Sequence, residues 1–232
     1  MNSVQAVNTM APANENIFYS SYCILPSSAI PHLTSLLQRT KVKQLRLPRF
    51  GFHPPEPLLK AIFDLNSLYV LSLDTVLAGA AQEEGSSWLS PQHLKRILNL
   101  PNLTSLHLAG GISSDDEFSL DSIATSPSLA HLSLQQFSAP HILKIVEVMA
   151  FTNPDALRRL DLKVAASQSG MMSEDEKTVD TELTGVLKRC TKVEELKLSY
   201  SRLDVDSCEA EYLKDTLSMT FPQTAVSVNL YD

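Results

Sequence analysis

Apolar residues recur along this chain in one six-residue frame, LxxLxL, with Val allowed at the first position. Val42/Leu45/Leu47 is the first copy, and Leu68/Leu71/Leu73, Leu103/Leu106/Leu108 and Leu129/Leu132/Leu134 follow. Leu157/Leu160/Leu162, Val193/Leu196/Leu198 and a weaker Ala225/Val228/Leu230 complete the series. Successive copies begin 26, 35, 26, 28, 36 and 32 residues apart, a spacing that marks a repeat architecture. The alternating L-x-L end of each frame predicts a short strand that sends its leucines to one face and its intervening residues to the other.

Between the frames the apolar residues change to helical spacing. Leu33/Leu36/Leu37, Leu58/Leu59/Ile62/Phe63 and Leu94/Ile97/Leu98 precede the first three strands, and Phe118/Leu120/Ile123 forms a shorter set. Ile142/Ile145/Val146/Met149, Val179/Leu183/Val186/Leu187/Cys190 and Tyr212/Leu213/Leu217 precede the last three. Pro91 and Pro140 stand where a first helical turn begins, a place that tolerates a missing amide donor. The predicted unit is helix, turn, strand, loop. No such unit can bury its apolar face alone, so the units must stack.

The phrases LPNLTSLHL (100–108), SPSLAHLSL (126–134) and RCTKVEELKL (189–198) resemble the leucine-rich repeat family, and within it the longer ribonuclease-inhibitor-like units. They also resemble the repeat half of F-box proteins, and the resemblance covers residues 27–232. It implies an α/β leucine-rich-repeat solenoid of about seven irregular repeats, with a curved parallel sheet on the concave face and helices on the convex face. The chain departs from the family at the position that takes a buried Asn or Cys, which here holds Phe50, Val76, Gly111, Phe137, Ala165 and Ser201. The run Pro54–Phe63 looks like the start of an F-box but lies between two repeat strands and reads as a repeat helix.

The predicted organisation is a disordered segment 1–16 followed by a single leucine-rich-repeat domain, 17–232. Tyr19, Tyr22 and Ile24 keep the strand spacing, which places a capping N-terminal strand within Ile17–Leu25. Residues 1–16 have neither a basic start nor an apolar core, so they are not a secretory signal. Longer loops follow three strands, at about Asp74–Ser90, Ala109–Glu117 and Lys163–Lys177, and all should leave the same rim. Ser113–Glu117 and Ser173–Glu176 are acidic: either solvated loops favourable at a helix N-terminus, or a rim patch for a basic partner or a phosphate. Trp88 either anchors the first long loop or forms an exposed hot spot.

Composition narrows the function. Lys and Arg number 19 against 26 Asp and Glu, a net charge of -7, which argues against a dedicated nucleic-acid binder. No apolar run is long enough to span a membrane. The three cysteines, Cys23, Cys190 and Cys208, share no CxxC spacing and suggest reduced thiols in a cytoplasmic or nuclear protein. With only 7 glycines and no phosphate-loop, nucleophile-elbow or zinc-protease motif, no cofactor, metal ligand, small-molecule substrate or catalytic residue is assigned. Cys190 reads as a buried core thiol, and the Asn102-Leu103-Thr104 sequon as accidental, because Leu103 belongs to the core.

What remains is the face between the leucines. The position between the second and third Leu reads Arg46, Ser72, His107, Ser133, Asp161, Lys197 and Asn229. The position before the second Leu reads Gln44, Val70, Ser105, His131, Arg159, Glu195 and Ser227. His107 and His131 fall on neighbouring strands and lie diagonally, with no third ligand for a metal. The mixed charges at Arg159, Asp161, Lys163, Glu195 and Lys197 suit cross-strand ion pairs and also a docking protein. The predicted partner-binding residues on this concave face are Arg46, Ser72, His107, His131, Ser133, Arg159, Asp161, Glu195, Lys197 and Asn229. The expected function is a non-catalytic protein-binding scaffold, which the resemblance extends to substrate recognition of the F-box, ubiquitin-ligase kind. The alternative is a leucine-rich-repeat regulator of another enzyme, of the GTPase-activating or inhibitor type. An enzyme with an unrecognised site is the third reading.

Overall fold

The computed structural model describes residues 17–19, 27–47, 54–74, 89–110, 125–165, 182–201 and 205–231. The segment 1–16, Tyr22, Ile24, Trp88, both acidic runs and the Phe118/Leu120/Ile123 set lie outside these residues. Among the described residues the chain is an α/β protein built on one parallel sheet of eight strands in sequence order. The strands are β1 (Ile17–Tyr19), β2 (Gln44–Leu47), β3 (Val70–Asp74) and β4 (Ser105–Ala109). They continue as β5 (His131–Phe137), β6 (Arg159–Val164), β7 (Glu195–Ser201) and β8 (Ala225–Tyr231). The helices between them are α1 (Ile30–Arg39), α2 (Glu56–Phe63), α3 (Pro91–Leu98) and α4 (Ala139–Thr152). A helical stretch at 182–187 (α5) and α6 (Ser207–Thr220) follow.

The leucine frame sets the register. Leu45, Leu71, Leu106, Leu132, Leu160 and Leu196 pair strand to strand in one row, and Leu47, Leu73, Leu108, Leu134, Leu162 and Leu198 in the next. All twelve are at most 2 % exposed. A one-residue slip would turn every leucine to the other face, so burial holds the register tightly.

The strands also open alike. Val70 and Tyr69 both donate their amides to the Lys43 carbonyl, and Thr104 and Ser105 to Tyr69. Ala130 and His131 do the same to Thr104, Arg158 and Arg159 to Ala130, and Glu194 and Glu195 to Arg158. Hydroxyl side chains join the turns: Ser67 donates to Val42 O at 2.9 Å, Ser126 to Leu103 O at 2.9 Å and Thr224 to Val193 O at 2.7 Å. These three carbonyls belong to the first residue of a frame, and each hydroxyl supplies it a donor.

Helix ends follow local chemistry. Pro91 starts α3, and the Ser90 hydroxyl accepts the His93 amide at 3.2 Å. Asp206 and Glu209 form a reciprocal capping box at the start of α6. Neighbouring helices touch through rings and charges. His93 Nε2 lies 2.9 Å from Glu56 Oε2, Arg96 sits 4.5 Å over the Phe63 ring, and Arg189 lies 4.2 Å over Phe151.

Two expectations about the ends are corrected. The expected N-terminal strand within Ile17–Leu25 is present at Ile17–Tyr19, but Phe18 stands opposite Leu45 and Tyr19 opposite Arg46, so Tyr19 does not hold the first position of the frame. At the other end Leu196 pairs with Val226 and Leu198 with Val228, so the last frame is Gln223/Val226/Val228 rather than Ala225/Val228/Leu230. Val226, Val228 and Leu230 alternate without a break, and a period of two fits either frame; the ladder to β7 chooses. A third feature was not foreseen. Gln136 takes φ 63, and the register shifts between Gln135 and Phe137 in a bulge that turns Phe137 fully into the core opposite Val164.

Cys190 is buried, and burial pushes its thiol up to about 11. A thiol reagent at neutral pH should modify exposed Cys208 and leave Cys190 unreacted until the chain unfolds, as peptide mapping would show. The folded chain holds the Cys190 proton above the pH at which the unfolded chain releases it. Its contribution to stability is therefore complete below about 9 and declines as pH rises towards about 11.

Candidate functional site

The strands carry their non-leucine residues on the opposite face in three rows. Gln44, Val70, Ser105, His131, Arg159, Glu195 and Ala225 pair along the first. Arg46, Ser72, His107, Ser133, Asp161, Lys197 and Ser227 pair along the second. Asp74, Ala109, Gln135, Lys163, Ser199 and Asn229 form the third. Asn229 thus falls one row beyond its expected place, and Ser227 sits beside Lys197. This displacement follows from the corrected frame of β8.

The first two rows enclose a depression of about 280 Å³ over β4–β7, lined by Ser105, His107, His131, Ser133, Arg159, Asp161, Glu195 and Lys197. Seven of the ten predicted binding residues meet here. Arg46 and Ser72 share the face on β2 and β3 but do not line the depression, and neither does Asn229. Its lining combines small side chains, Ser105 and Ser133 on β4 and β5, with longer ones on β6 and β7.

Its two sides differ in chemistry. On β6 and β7, Arg159 Nε lies 3.4 Å from Glu195 Oε2, and Lys197 Nζ lies 3.9 Å from Asp161 Oδ2. The two pairs run in opposite senses, so the four groups form a checkerboard of alternating sign about two residues on a side. All four side chains are between 37 % and 59 % exposed, so each pair is a weak, solvent-screened bond that a partner can replace. On β4 and β5 the lining is of serines and histidines. His107 Nδ1 lies 2.9 Å from Ser133 Oγ. Burial lowers the His107 pKa against the raising pull of Asp74 and Asp161, and Arg46 adds to the lowering. The imidazole is therefore uncharged at neutral pH.

Asp74 and Ser105 were absent from the predicted set. Ser105 occupies a variable position next to a predicted histidine and was legible as such. Asp74 lies at the start of a long loop, and only the ladder shows it on this face. At the far side Lys163 Nζ stands 3.9 Å over the Tyr231 ring, while the Tyr231 hydroxyl donates to Val164 O. Tyr231 must cross β7 to do so, and the residues it crosses are Ser199 and Ser201, both buried.

Among the described residues no group of three or more His, Cys, Asp or Glu is placed to hold a metal ion. Among them also, no helix is long and apolar enough to cross a membrane. The fold defines an α/β class with strands of a single parallel sheet in chain order. Comparison with protein-family models, with curated proteins and with solved structures finds no match.

Proposed function

We propose that this chain is a leucine-rich-repeat solenoid that works as a protein-binding scaffold without chemistry of its own, and that the depression over β4–β7 is the centre of its binding face. The carrying observation is the checkerboard of Arg159, Glu195, Asp161 and Lys197 beside the neutral floor of Ser105, His107 and Ser133. Exposed ion pairs of this kind give orientation and selectivity to a protein contact, while a shallow neutral floor accepts an inserted side chain. Repeated strand openings and the unbroken strand order support the solenoid reading. The resemblance to F-box repeat halves favours a role in selecting substrates for ubiquitin ligation. Regulation of another enzyme through the same face is the second reading.

Ser133→Arg tests the site, because it fills the floor and breaks the His107 contact. Affinity capture with the intact chain should recover a protein that the S133R chain does not recover, with both chains unfolding at the same temperature. Identical captures with the two chains would remove the depression from the binding face.

A further inference from the structure

We propose that the outer edge of β8 is a self-association site, at which a second copy of this chain pairs antiparallel about a two-fold axis through Val228. The inference does not rest on the binding reading above. The two edges of the sheet differ. β1 is three residues long, while β8 runs for seven, Ala225–Tyr231. A short edge strand is a poor template for pairing and a long one is a good template. Between Ala225 and Tyr231 there is no charged residue, no proline and no glycine. β8 therefore carries none of the charges or prolines that blunt an edge strand.

The backbone shows which groups are offered. Ala225 donates its amide to Glu194 O at 2.8 Å. In a parallel ladder alternate residues turn both backbone groups the same way, so Ala225, Ser227, Asn229 and Tyr231 serve β7. Val226, Val228 and Leu230 turn theirs outward, and among the described residues no strand lies beyond them. Their side chains are also incompletely covered. Val226, Val228 and Leu230 are half-buried, whereas their partners on β7, Leu196, Leu198 and Tyr200, are at most 3 % exposed. α6 packs on this strand, and among the described residues no element packs on its outer side.

A second copy fits this edge in one register. With Val228 opposite itself, Val226 faces Leu230 and Ser227 faces Asn229 of the other copy. The pairs at 228/228 and 226/230 are then the hydrogen-bonded ones, and every outward amide and carbonyl of the three residues finds a partner. The 227/229 pairs are the closely spaced ones, and Ser with Asn can exchange side-chain hydrogen bonds there. The arrangement is isologous and closes on itself. A head-to-tail arrangement would have to use the three-residue β1 edge and would not close.

The test uses the full chain in analytical ultracentrifugation over a micromolar concentration series. Wild type should sediment at twice the chain mass. S227K/N229K opposes lysines at both closely spaced pairs and should weaken the dimer at least tenfold. S227K/N229D sets Lys against Asp at the same pairs and should restore it. Circular dichroism and thermal unfolding check that each variant folds. If S227K/N229K fails to fold, amide exchange of wild type decides. Val226, Val228 and Leu230 should then gain protection as concentration rises, while the core strands do not change. Wild type at single-chain mass throughout would overturn the proposal, as would a dimer that survives S227K/N229K. Failure of S227K/N229D to restore association, or exchange at the three amides that ignores concentration, would also overturn it.

Discussion

Leu132→Ala should destabilise the chain by about 2–5 kcal/mol. Leu132 is 2 % exposed and sits in the row between Leu106 and Leu160, with Leu134 one step along the same strand. Deleting its branched end removes transfer energy and leaves a cavity that the two flanking strands cannot close. Each is held by its own ladder and its own leucine. For a chain of this size the loss corresponds to a drop in unfolding midpoint of roughly 5–15 °C. If the units stack as separate modules, the transition should broaden as well as shift, because weakening one unit uncouples those on either side. Differential scanning calorimetry reads both effects. A midpoint within a degree of wild type would mean that the leucine row is not one continuous core.

Reversing charge at Arg159 and Lys197 should leave the fold intact and weaken partner binding. In R159E/K197E both ion pairs are lost and four carboxylates stand together on adjacent strands, with Asp161 and Glu195 now unpaired. The folded chain loses little, because exposed pairs contribute at most about 1 kcal/mol each. A partner chosen for the checkerboard loses two attractions and meets two repulsions at the centre of the contact. A loss of about 2 kcal/mol or more, about 30-fold in affinity, is expected. The wild-type complex should also weaken as salt is raised, since these groups are exposed to screening. Titration calorimetry with the captured partner measures both. Unchanged affinity in R159E/K197E would place the partner elsewhere on the molecule.

Much of this molecule was legible before its structure. The six Leu-containing frames identify β2–β7, and each demands burial of its leucines, so their register follows from hydrophobicity alone. The sign pattern of Arg159, Asp161, Glu195 and Lys197 followed too. In parallel strands of equal frame, equivalent positions must pair, and here opposite charges occupy them.

The rest depended on neighbours distant in the chain. At β8 three alternating apolar residues satisfy two frames equally, and only the hydrogen bonds to β7 select Val226 and Val228. At β1 aromatic residues fit several spacings, and pairing to Gln44–Arg46 selects Ile17–Tyr19. The bulge at Gln136 turns Phe137 into full burial opposite Val164, a partner 27 residues further along the chain. The depression is also a property of several strands at once. It exists where serines on β4 and β5 stand next to longer side chains on β6 and β7. A local pattern dictates which face a residue takes, because that depends only on the alternation of its own strand. Register at the ends and the shape of the face are set by side-chain volumes and backbone donors brought together from segments some thirty residues apart.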